Sequence, residues 1–179
     1  MTGAPDLDRW IPDPVVRVVH RRTADASVAD LWDAARTVHL DDTGVLGRLV
    51  RWRIPGIEGD PAYDELFRAP PFTPLDEGEH ALVSGLCGRI WTLRRDYPVL
   101  AGPDEFRAWS EPGTARVTLA TWAERDGDRA VISSEARVGA VDRQGRLGLV
   151  AVRPLIRASN RLIATEALAL AARRAQGQH

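Results

Sequence analysis

Two extended segments lie close together in the last third of the chain, GTARVTLATWA at Gly113–Ala123 and RAVISSEARVGAV at Arg129–Val141. The polar run Glu124–Asp128 separates them, which predicts two antiparallel strands joined by a turn. Asp142–Gly145 predicts a second turn, followed by a third extended run and then a long helix that ends the protein. A terminal helix after antiparallel strands needs a concave sheet to cover it. The segment therefore predicts a sheet folded around a helix.

The composition of the terminal helix is the strongest argument for this arrangement. From Leu162 to Ala172 the helix is apolar on almost every side, and a helix that is apolar all round is buried all round. Its first residue is ambiguous, because Pro154 suits a first helical turn and Ser159 suits an N-cap.

The preceding residues predict one strand, two short helices and a further strand. Residues 1–14 are polar and contain three prolines, which predicts a flexible tail, and residues 15–176 form a single domain by size. Residues 55–79 are rich in proline, glycine and acidic residues and predict a loop over a binding site, with one helical turn at Ala62–Arg68. The other predicted elements are a strand at Val15–Arg22, helices at about Val28–His39 and Thr43–Arg53, a strand at Ala81–Leu93, and a short helix or turn at Pro103–Trp109. The strand at Ala81–Leu93 carries Gly85 and Gly88, and interior strand glycines predict a bulge or a close approach to another group.

The composition excludes several classes of function. The net charge is −1, which gives no general attraction for nucleic acid or anionic membranes. All 24 basic residues are arginine, so lysine chemistry of the Schiff-base or phosphate-loop type is excluded. The doublets Arg94-Arg95 and Arg173-Arg174 indicate solvated faces rather than a nucleic-acid interface. No apolar run approaches a membrane span, so we expect no stable membrane insertion and a soluble, cytoplasmic protein.

The sequence predicts neither a metal site nor a cofactor. Cys87 is the only cysteine, which excludes an internal disulfide and a cysteine-based zinc site. Its mid-strand position predicts a small core residue rather than a nucleophile. The four histidines show no metal-ligand spacing, and the Gly-x-Gly-x-x-Gly and Gly-x-Ser-x-Gly patterns are absent. We therefore assign no catalytic residue, metal ligand or cofactor.

Six local motifs follow one another from Gly85 to the terminal helix. They are GLCGRIW at Gly85–Trp91, FRAW at Phe106–Trp109, EPGTA at Glu111–Ala115, SEARV at Ser134–Val138, Asp142, and the helix start at Ser159–Ile163. Together they resemble the SRPBCC, or START-related, superfamily, and within it an uncharacterised, polyketide-cyclase-like bacterial branch. The chain departs from that branch where an aromatic pair often precedes the helix, and where two threonines are replaced by Ser134 and Ala136. The resemblance implies an α+β helix-grip fold, in which a curved antiparallel sheet wraps around a long C-terminal helix and two short helices lie near the N-terminus.

Aromatic residues supply most of the candidate ligand contacts. In a helix-grip fold, tryptophans on the two short helices and on the strands border the internal cavity, where they could stack on a flat or apolar ligand. The alternative is that they fill core volume. The candidate ligand-binding residues are Trp32, Leu49, Trp52, Phe72, Trp91, Phe106, Trp109, Trp122, Glu135 and Arg137.

Glu135 and Arg137 are two residues apart on one predicted strand, so they face the same side of the sheet. The residues of this strand that face the opposite side, which include Ile132 and Val138, are more apolar than those on the side of Glu135 and Arg137. Simple alternation therefore places Glu135 and Arg137 outside, in an ion-pair group worth little. The second interpretation is a buried polar pair that faces the cavity.

The function predicted from these features is binding of a small hydrophobic or aromatic molecule in an internal cavity. A cyclase- or dehydratase-type enzyme in the same cavity is the first alternative, and its acid or base would come from Glu135, His80 or Tyr97. A regulatory partner-binding protein with no ligand is the second. The sequence determines neither the ligand nor the oligomeric state, and a homodimer is left open.

Overall fold

The computed structural model describes residues 3–53, 57, 59–92 and 97–177, apart from the side chains of residues 45, 46, 49, 53 and 152–165. The described elements comprise five strands and five helices. In chain order they are β1 (Val16–Ala24), α1 (Val28–Arg36), α2 (Gly44–Arg53), α3 (Tyr63–Arg68), β2 (Thr73–Gly78), β3 (Ala81–Gly88), α4 (Pro103–Ala108), β4 (Ala115–Asp126), β5 (Arg129–Ala140) and α5 (Arg143–Ala175).

The five strands form one curved antiparallel sheet in the order β1-β5-β4-β3-β2. Helix α5 packs against β1 and β5, and α1 packs beside α5 on the same side of the sheet. This is the predicted helix-grip arrangement, with the short helices α1 and α2 near the N-terminus, and the predicted fold class is confirmed.

Each face of the sheet carries its own hydrophobic core. We call the face that α5 covers the concave face and the other the outer face. The concave core includes Leu31, Leu82, Ile132 and Leu168. The outer core joins Trp10 and Ile11 of the N-terminal segment to α4 and to the outward-facing residues of β3 and β4. Both faces of the interior strands are therefore covered by packed residues in the part of the chain that the structure describes.

Helix α5 begins much earlier than the sequence predicts. The predicted third extended run after Gly145 is wrong, because these residues form the first turns of a helix that runs from Arg143 through Pro154 to Ala175. The Asp142 side chain caps the helix by accepting a hydrogen bond from the Gly145 N–H at 2.7 Å. Asp142 was assigned to a turn, although an aspartate in that position is also a strong helix start signal.

Two glycines in the first turns of α5 permit close packing. A Cβ on Gly145 would lie 2.5 Å from the carbonyl oxygen of Thr114, and one on Gly148 would lie 2.7 Å from the Trp91 ring. Gly85 of β3 plays the same part on the outer face, where a Cβ would lie 2.7 Å from Phe106. The close approach predicted for Gly85 is therefore confirmed.

Part of the predicted long loop at residues 55–79 is regular structure. The helical turn is confirmed as α3, which buries Leu66 and Phe67. Residues 73–78 form the edge strand β2, and there the loop prediction is wrong. An edge strand tolerates Pro74 because the missing N–H costs no interior hydrogen bond. Residues 54–56 and 58 of that loop lie outside the described residues.

The segment predicted to be a flexible tail is packed at the residues that the structure describes. Leu7, Trp10 and Ile11 are at most 3% exposed. Ile11 lies against Gly139, where a Cβ would be 2.8 Å from Ile11 Cγ2. The polar composition of residues 1–14 concealed three apolar residues spaced to cover one patch of the outer face.

Removing the cap of α5 is expected to lower the melting temperature of the protein. Two backbone N–H groups, of Gly145 and Gly113, donate to the Asp142 carboxylate and hold its pKa below the ordinary value. Its contribution to stability is therefore present above its unfolded pKa of about 3.9 and is lost as the pH falls through the lower folded pKa. We expect Asp142→Ala to melt a few degrees below wild type at pH 7.

Asp142→Asn is the matched control, because the amide keeps a capping oxygen but does not titrate. It should melt closer to wild type than the alanine variant does, and the acid limb of its stability profile should lack the Asp142 contribution. Equal melting temperatures for wild type and Asp142→Ala across the pH range would contradict this account of the helix start.

Candidate functional site

The concave face is only half-buried over part of β1, β5 and β4, although β5 and β4 are interior strands of the sheet. Val18 of β1, Leu119 of β4 and Ser134 of β5 are each partly exposed, whereas neighbouring residues of the same face, such as Thr121 and Ile132, are buried. We call the patch formed by Val18, His20, Leu119 and Ser134 the central patch. Solvent therefore reaches the concave face at these residues.

The strand register brings the members of the central patch together. His20 pairs with Ser134 and Ser134 pairs with Thr121, so these three residues form one row across β1, β5 and β4. In the next row, Val18 and Leu119 both pair with Ala136. Directly opposed side chains on one face lie about 4.5–5.5 Å apart at Cβ. A polar row is thus bordered by an apolar row.

Tyr63 of α3 adds a fourth polar group to that row. Its hydroxyl lies 2.8 Å from Thr121 Oγ1. Burial raises the pKa of the Tyr63 hydroxyl above its ordinary value, while hydrogen bonds with Thr121 and Ser134 offset part of the effect. Part of the tyrosine ring is exposed, but the hydroxyl lies deep. The phenol therefore stays protonated at neutral pH.

The position of Tyr63 is fixed by its backbone and by its neighbours on α3. Its N–H donates to the Val38 carbonyl at 2.7 Å. Its ring packs on Phe67 with centroids 4.5 Å apart, and Phe67 packs on Phe72 at 4.8 Å. This aromatic row covers one side of the concave face and holds the Tyr63 hydroxyl over β4.

The candidate ligand contacts on the helices and loops divide into three groups. Trp32 and Phe72 are buried in the concave core, and the half-buried Trp91 packs against the same core. Trp52 of α2 is 52% exposed, so its side chain projects mainly into solvent. Leu49 also lies on α2, but its side chain is outside the described residues. Among the four of these whose side chains the structure describes, Trp91 is the candidate that combines contact with the core and partial exposure.

Three further candidates belong to the outer face. Phe106, Trp109 and Trp122 pack in or against the outer core with Trp10. The Trp10 and Phe106 rings meet edge to face, with centroids 6.1 Å apart. Trp122 pairs with Ser133 and Ala81, and the even-numbered residues of β5 are the ones that face α5. These three aromatics therefore fill a core on the side opposite the concave face, where they have no access to the central patch.

Glu135 and Arg137 also lie on the outer face, and both are buried. Alternation predicted the face correctly, whereas the cavity-facing interpretation is wrong. The two groups are not solvated, because the N-terminal segment covers them. Arg137 donates to Glu135, to Asp8 and to the Ile11 carbonyl. Glu135 also accepts two hydrogen bonds from Arg17, at 2.8 and 3.0 Å.

The electrostatics of Glu135 do not suit a general base. Burial alone would raise the pKa of its carboxyl, but the hydrogen bonds from Arg17 and Arg137 outweigh burial and hold the pKa below its ordinary value. A general base at neutral pH needs a raised pKa and access to substrate. Glu135 has neither on the concave side.

The remaining titratable candidates offer no separate reactive centre in the described part of the chain. Burial raises the pKa of Cys87 to about 12, so the thiol stays protonated and behaves as an outer-core residue. A backbone hydrogen bond to the Asp60 carbonyl raises the pKa of the exposed His39. Across the described residues, no group of three or more His, Cys, Asp or Glu side chains is arranged to hold a metal ion.

Helix α5 is tied to the loop that precedes α2. Glu166 accepts a hydrogen bond from the Gly44 N–H at 2.8 Å, and Arg174 pairs with Asp42 at 2.8 Å. Arg174 also donates to the carbonyl of Thr37, at the end of α1, at 3.4 Å. These contacts fix the loop between α1 and α2 to the C-terminal half of α5.

Sequence reasoning missed His20, Tyr63, Thr121 and Ser134 as a group. One signal was present, because Asp126 and Arg129 flank a two-residue turn at Gly127-Asp128. This turn fixes the hairpin register and places Thr121 opposite Ser134. The contributions of His20 and Tyr63 are long-range, and nothing local in the sequence indicates them.

None of the described helices has both the length and the apolar character that a membrane crossing requires. No protein-family model matches the sequence, and no curated protein matches it.

Three solved structures illustrate the similarity that a structural search finds. A hypothetical protein from Helicobacter pylori is 10% identical with a TM-score of 0.44, over 96% of this chain and 97% of that one. The Zhui aromatase/cyclase from Streptomyces sp. R1128 is 16% identical with a TM-score of 0.34, over 89% and 94%. The di-domain ARO/CYC protein BexL is 12% identical with a TM-score of 0.36, over 93% and 52%. At this level the similarities carry no argument about function.

Proposed function

We propose that the concave face of the sheet binds a small, predominantly apolar or aromatic molecule. The observation that carries the proposal is the half-buried central patch between the sheet and α5. A packed core normally buries the residues of central strands completely, yet Leu119 and Ser134 remain partly exposed. Surfaces of this kind, with an apolar lining and a few polar groups, are typical of small-molecule sites.

The apolar lining supplies the affinity in this proposal. Val18 and Leu119 belong to the patch and both pair with Ala136, and the aromatic row of Tyr63, Phe67 and Phe72 lies beside it. Covering such surface yields roughly 25 cal/mol per Å² of apolar area removed from water, before the cost of association. An aromatic molecule of two or three rings is then expected to bind in the micromolar range.

Binding is favoured over catalysis because Glu135 and His80, two of the candidate acids or bases, do not face the patch. Glu135 lies on the other face, and Tyr63 keeps its proton at neutral pH. His80 lies in the turn between β2 and β3, whereas the patch belongs to β1, β4 and β5. A bound molecule recovered in chemically altered form would favour the cyclase or dehydratase alternative instead.

Filling the central patch is expected to abolish binding. In Leu119→Trp the indole would occupy the space that a ligand needs, so the affinity for the neutral fluorescent probe N-phenyl-1-naphthylamine should fall by about tenfold or more. Val19→Trp is the matched control, because Val19 is 44% exposed and pairs with Glu135 on the outer face. Probe fluorescence measures both, and circular dichroism verifies the fold.

Two results would count against this function. If wild type fails to bind the probe and any of a panel of neutral aromatic compounds, the ligand-binding proposal is wrong. If Leu119→Trp and Val19→Trp bind the probe equally well, the concave face is not the site. Native mass spectrometry of the purified protein provides an independent search for a co-purifying small molecule.

A further inference from the structure

We infer that the site selects ligands that carry a neutral hydroxyl or carbonyl group, which hydrogen-bonds at Ser134 beside the Tyr63–Thr121 pair. This inference rests on the proposed function, since it specifies the chemistry of the molecule that the concave face would hold. It assigns the polar row of His20, Ser134 and Thr121, together with Tyr63, to recognition of one oxygen atom on the ligand.

The hydrogen-bonding capacity of the row exceeds what its members use among themselves. Each of the hydroxyls of Tyr63, Thr121 and Ser134 has one donor and acceptor lone pairs. A chain of three hydroxyls uses two donors internally, so one donor and several lone pairs remain. Ser134 is the half-buried member of the chain, whereas Thr121 is 4% exposed. The Ser134 hydroxyl is therefore the accessible member of the chain, and its unused lone pairs lie next to the apolar surface of Leu119.

The Tyr63 hydroxyl is a fixed member of the chain, 2.8 Å from Thr121 Oγ1. Because burial raises its pKa, it remains a neutral phenol that can donate and accept. The tilted ring contacts of Tyr63 with Phe67 and of Phe67 with Phe72, and the bond from Tyr63 N–H to the Val38 carbonyl, keep it in place. A fixed donor–acceptor pair suits a ligand hydroxyl or carbonyl, because it needs no reorganisation when the ligand binds.

The distribution of charge over β1, β4 and β5 argues for a neutral group. Arg17, Glu135 and Arg137 lie on the outer face, where they pair with one another. The arginines of these strands on the concave side, Arg22 and Arg125, are exposed near the β4–β5 turn, away from the central patch. A carboxylate placed against Leu119 and Ala136 would be desolvated on this surface without a strand arginine to pair with.

A series of matched naphthalenes tests this chemistry by displacement of N-phenyl-1-naphthylamine at pH 7.5. We expect 2-naphthol to bind about 5–10-fold more tightly than naphthalene, because one net hydrogen bond contributes about this much affinity. Because of its carboxylate, 2-naphthoate should bind more weakly than naphthalene. Ser134→Ala and Tyr63→Phe should each bring the ratio of naphthol affinity to naphthalene affinity close to one.

Thr118→Val is the matched control, because Thr118 is buried on the outer face of β4 and pairs with Arg137. It should keep the full naphthol advantage. If naphthalene and naphthol bind wild type equally, or if naphthoate binds most tightly, the inference is wrong while ligand binding itself stands. If both Ser134→Ala and Tyr63→Phe retain the naphthol advantage, the polar row is not the recognition site. If neither the probe nor any naphthalene binds, the proposed function fails together with the inference.

Discussion

Leu168→Asp is expected to leave the protein largely unfolded at room temperature. Leu168 is 4% exposed on α5, within the concave core, with Ala171 and Ala172 buried on the same helix. The substitution removes a buried aliphatic side chain and places a carboxylate in its position. Losing the leucine costs about 2–5 kcal/mol, and an unpaired buried charge adds several more. The sum of the two costs is comparable to the whole free energy of unfolding of a typical domain, which is about 5–15 kcal/mol.

Leu147→Asp is the control for the same substitution on the same helix. Leu147 lies in the first turns of α5 and is 67% exposed, so the charge stays in water and the free energy of unfolding should change by less than about 0.5 kcal/mol. Urea unfolding followed by circular dichroism compares the two variants. A Leu168→Asp protein as stable as Leu147→Asp would contradict the burial of α5 in the sheet.

Arg137→Ala is expected to lower the free energy of unfolding by about 2–4 kcal/mol. The guanidinium is buried on the outer face, where it joins Glu135 of its own strand to Asp8 and the Ile11 carbonyl of the N-terminal segment. Its removal leaves the Glu135 carboxylate with one arginine instead of two, and it leaves the Ile11 carbonyl without this donor. Breaking a buried ion pair from one side costs more than the pair contributes, because the remaining charge is left uncompensated.

Arg17→Ala is the matched control for Arg137→Ala, because Arg17 binds the same Glu135 carboxylate but its side chain is 57% exposed. We expect it to cost less than about 1 kcal/mol. Chemical denaturation of the two variants provides the comparison. Equal losses for Arg17→Ala and Arg137→Ala would mean that burial does not decide the strength of this network.

The same network predicts the acid limb of the stability profile. The folded pKa of Glu135 is lowered, so its stabilisation is present above the unfolded pKa of about 4.3 and is lost as the pH falls through the folded value. Removal of Arg137 raises the folded pKa of Glu135 towards the unfolded one. The contribution of Glu135 to the loss of stability in acid should therefore shrink in Arg137→Ala, and Glu135→Gln should remove it.

The hairpin β4–β5 shows how far local reasoning reaches. Its two strands were predicted from their β-branched alternation, and alternation also placed Glu135 and Arg137 on the face away from the apolar set. Their burial was not predicted, because it depends on residues 7–11, which are more than 120 positions away in the chain. Alternation reports which side of a sheet a residue occupies, but it cannot report what covers that side.

The aromatic candidates divide for the same reason. Trp32 and Phe72 lie on the concave side, whereas Phe106, Trp109 and Trp122 lie in or against the outer core. A tryptophan in the sequence indicates a large buried surface without indicating which of two cores receives it. The helix-grip resemblance implies one interior, whereas the second core beneath the N-terminal segment holds three of the seven aromatic residues assigned to the ligand.

The sequence alone determined four of the five described strands, the short helices near the N-terminus and the presence of a long apolar helix at the end, because each depends on residue periodicity within a few turns or pleats. The edge strand β2 and the first turns of α5 were not among them. The sequence also determined that a sheet must cover that helix, since its apolar residues point in all directions. Only the tertiary structure decided the two separate cores and the polar row of His20, Tyr63, Thr121 and Ser134. That row joins three strands and α3, whose alignment is set by the register of β1 on β5 and by the packing of Tyr63 on Phe67. Contacts between residues so distant in the chain depend on how all the elements pack together, and no local pattern specifies them.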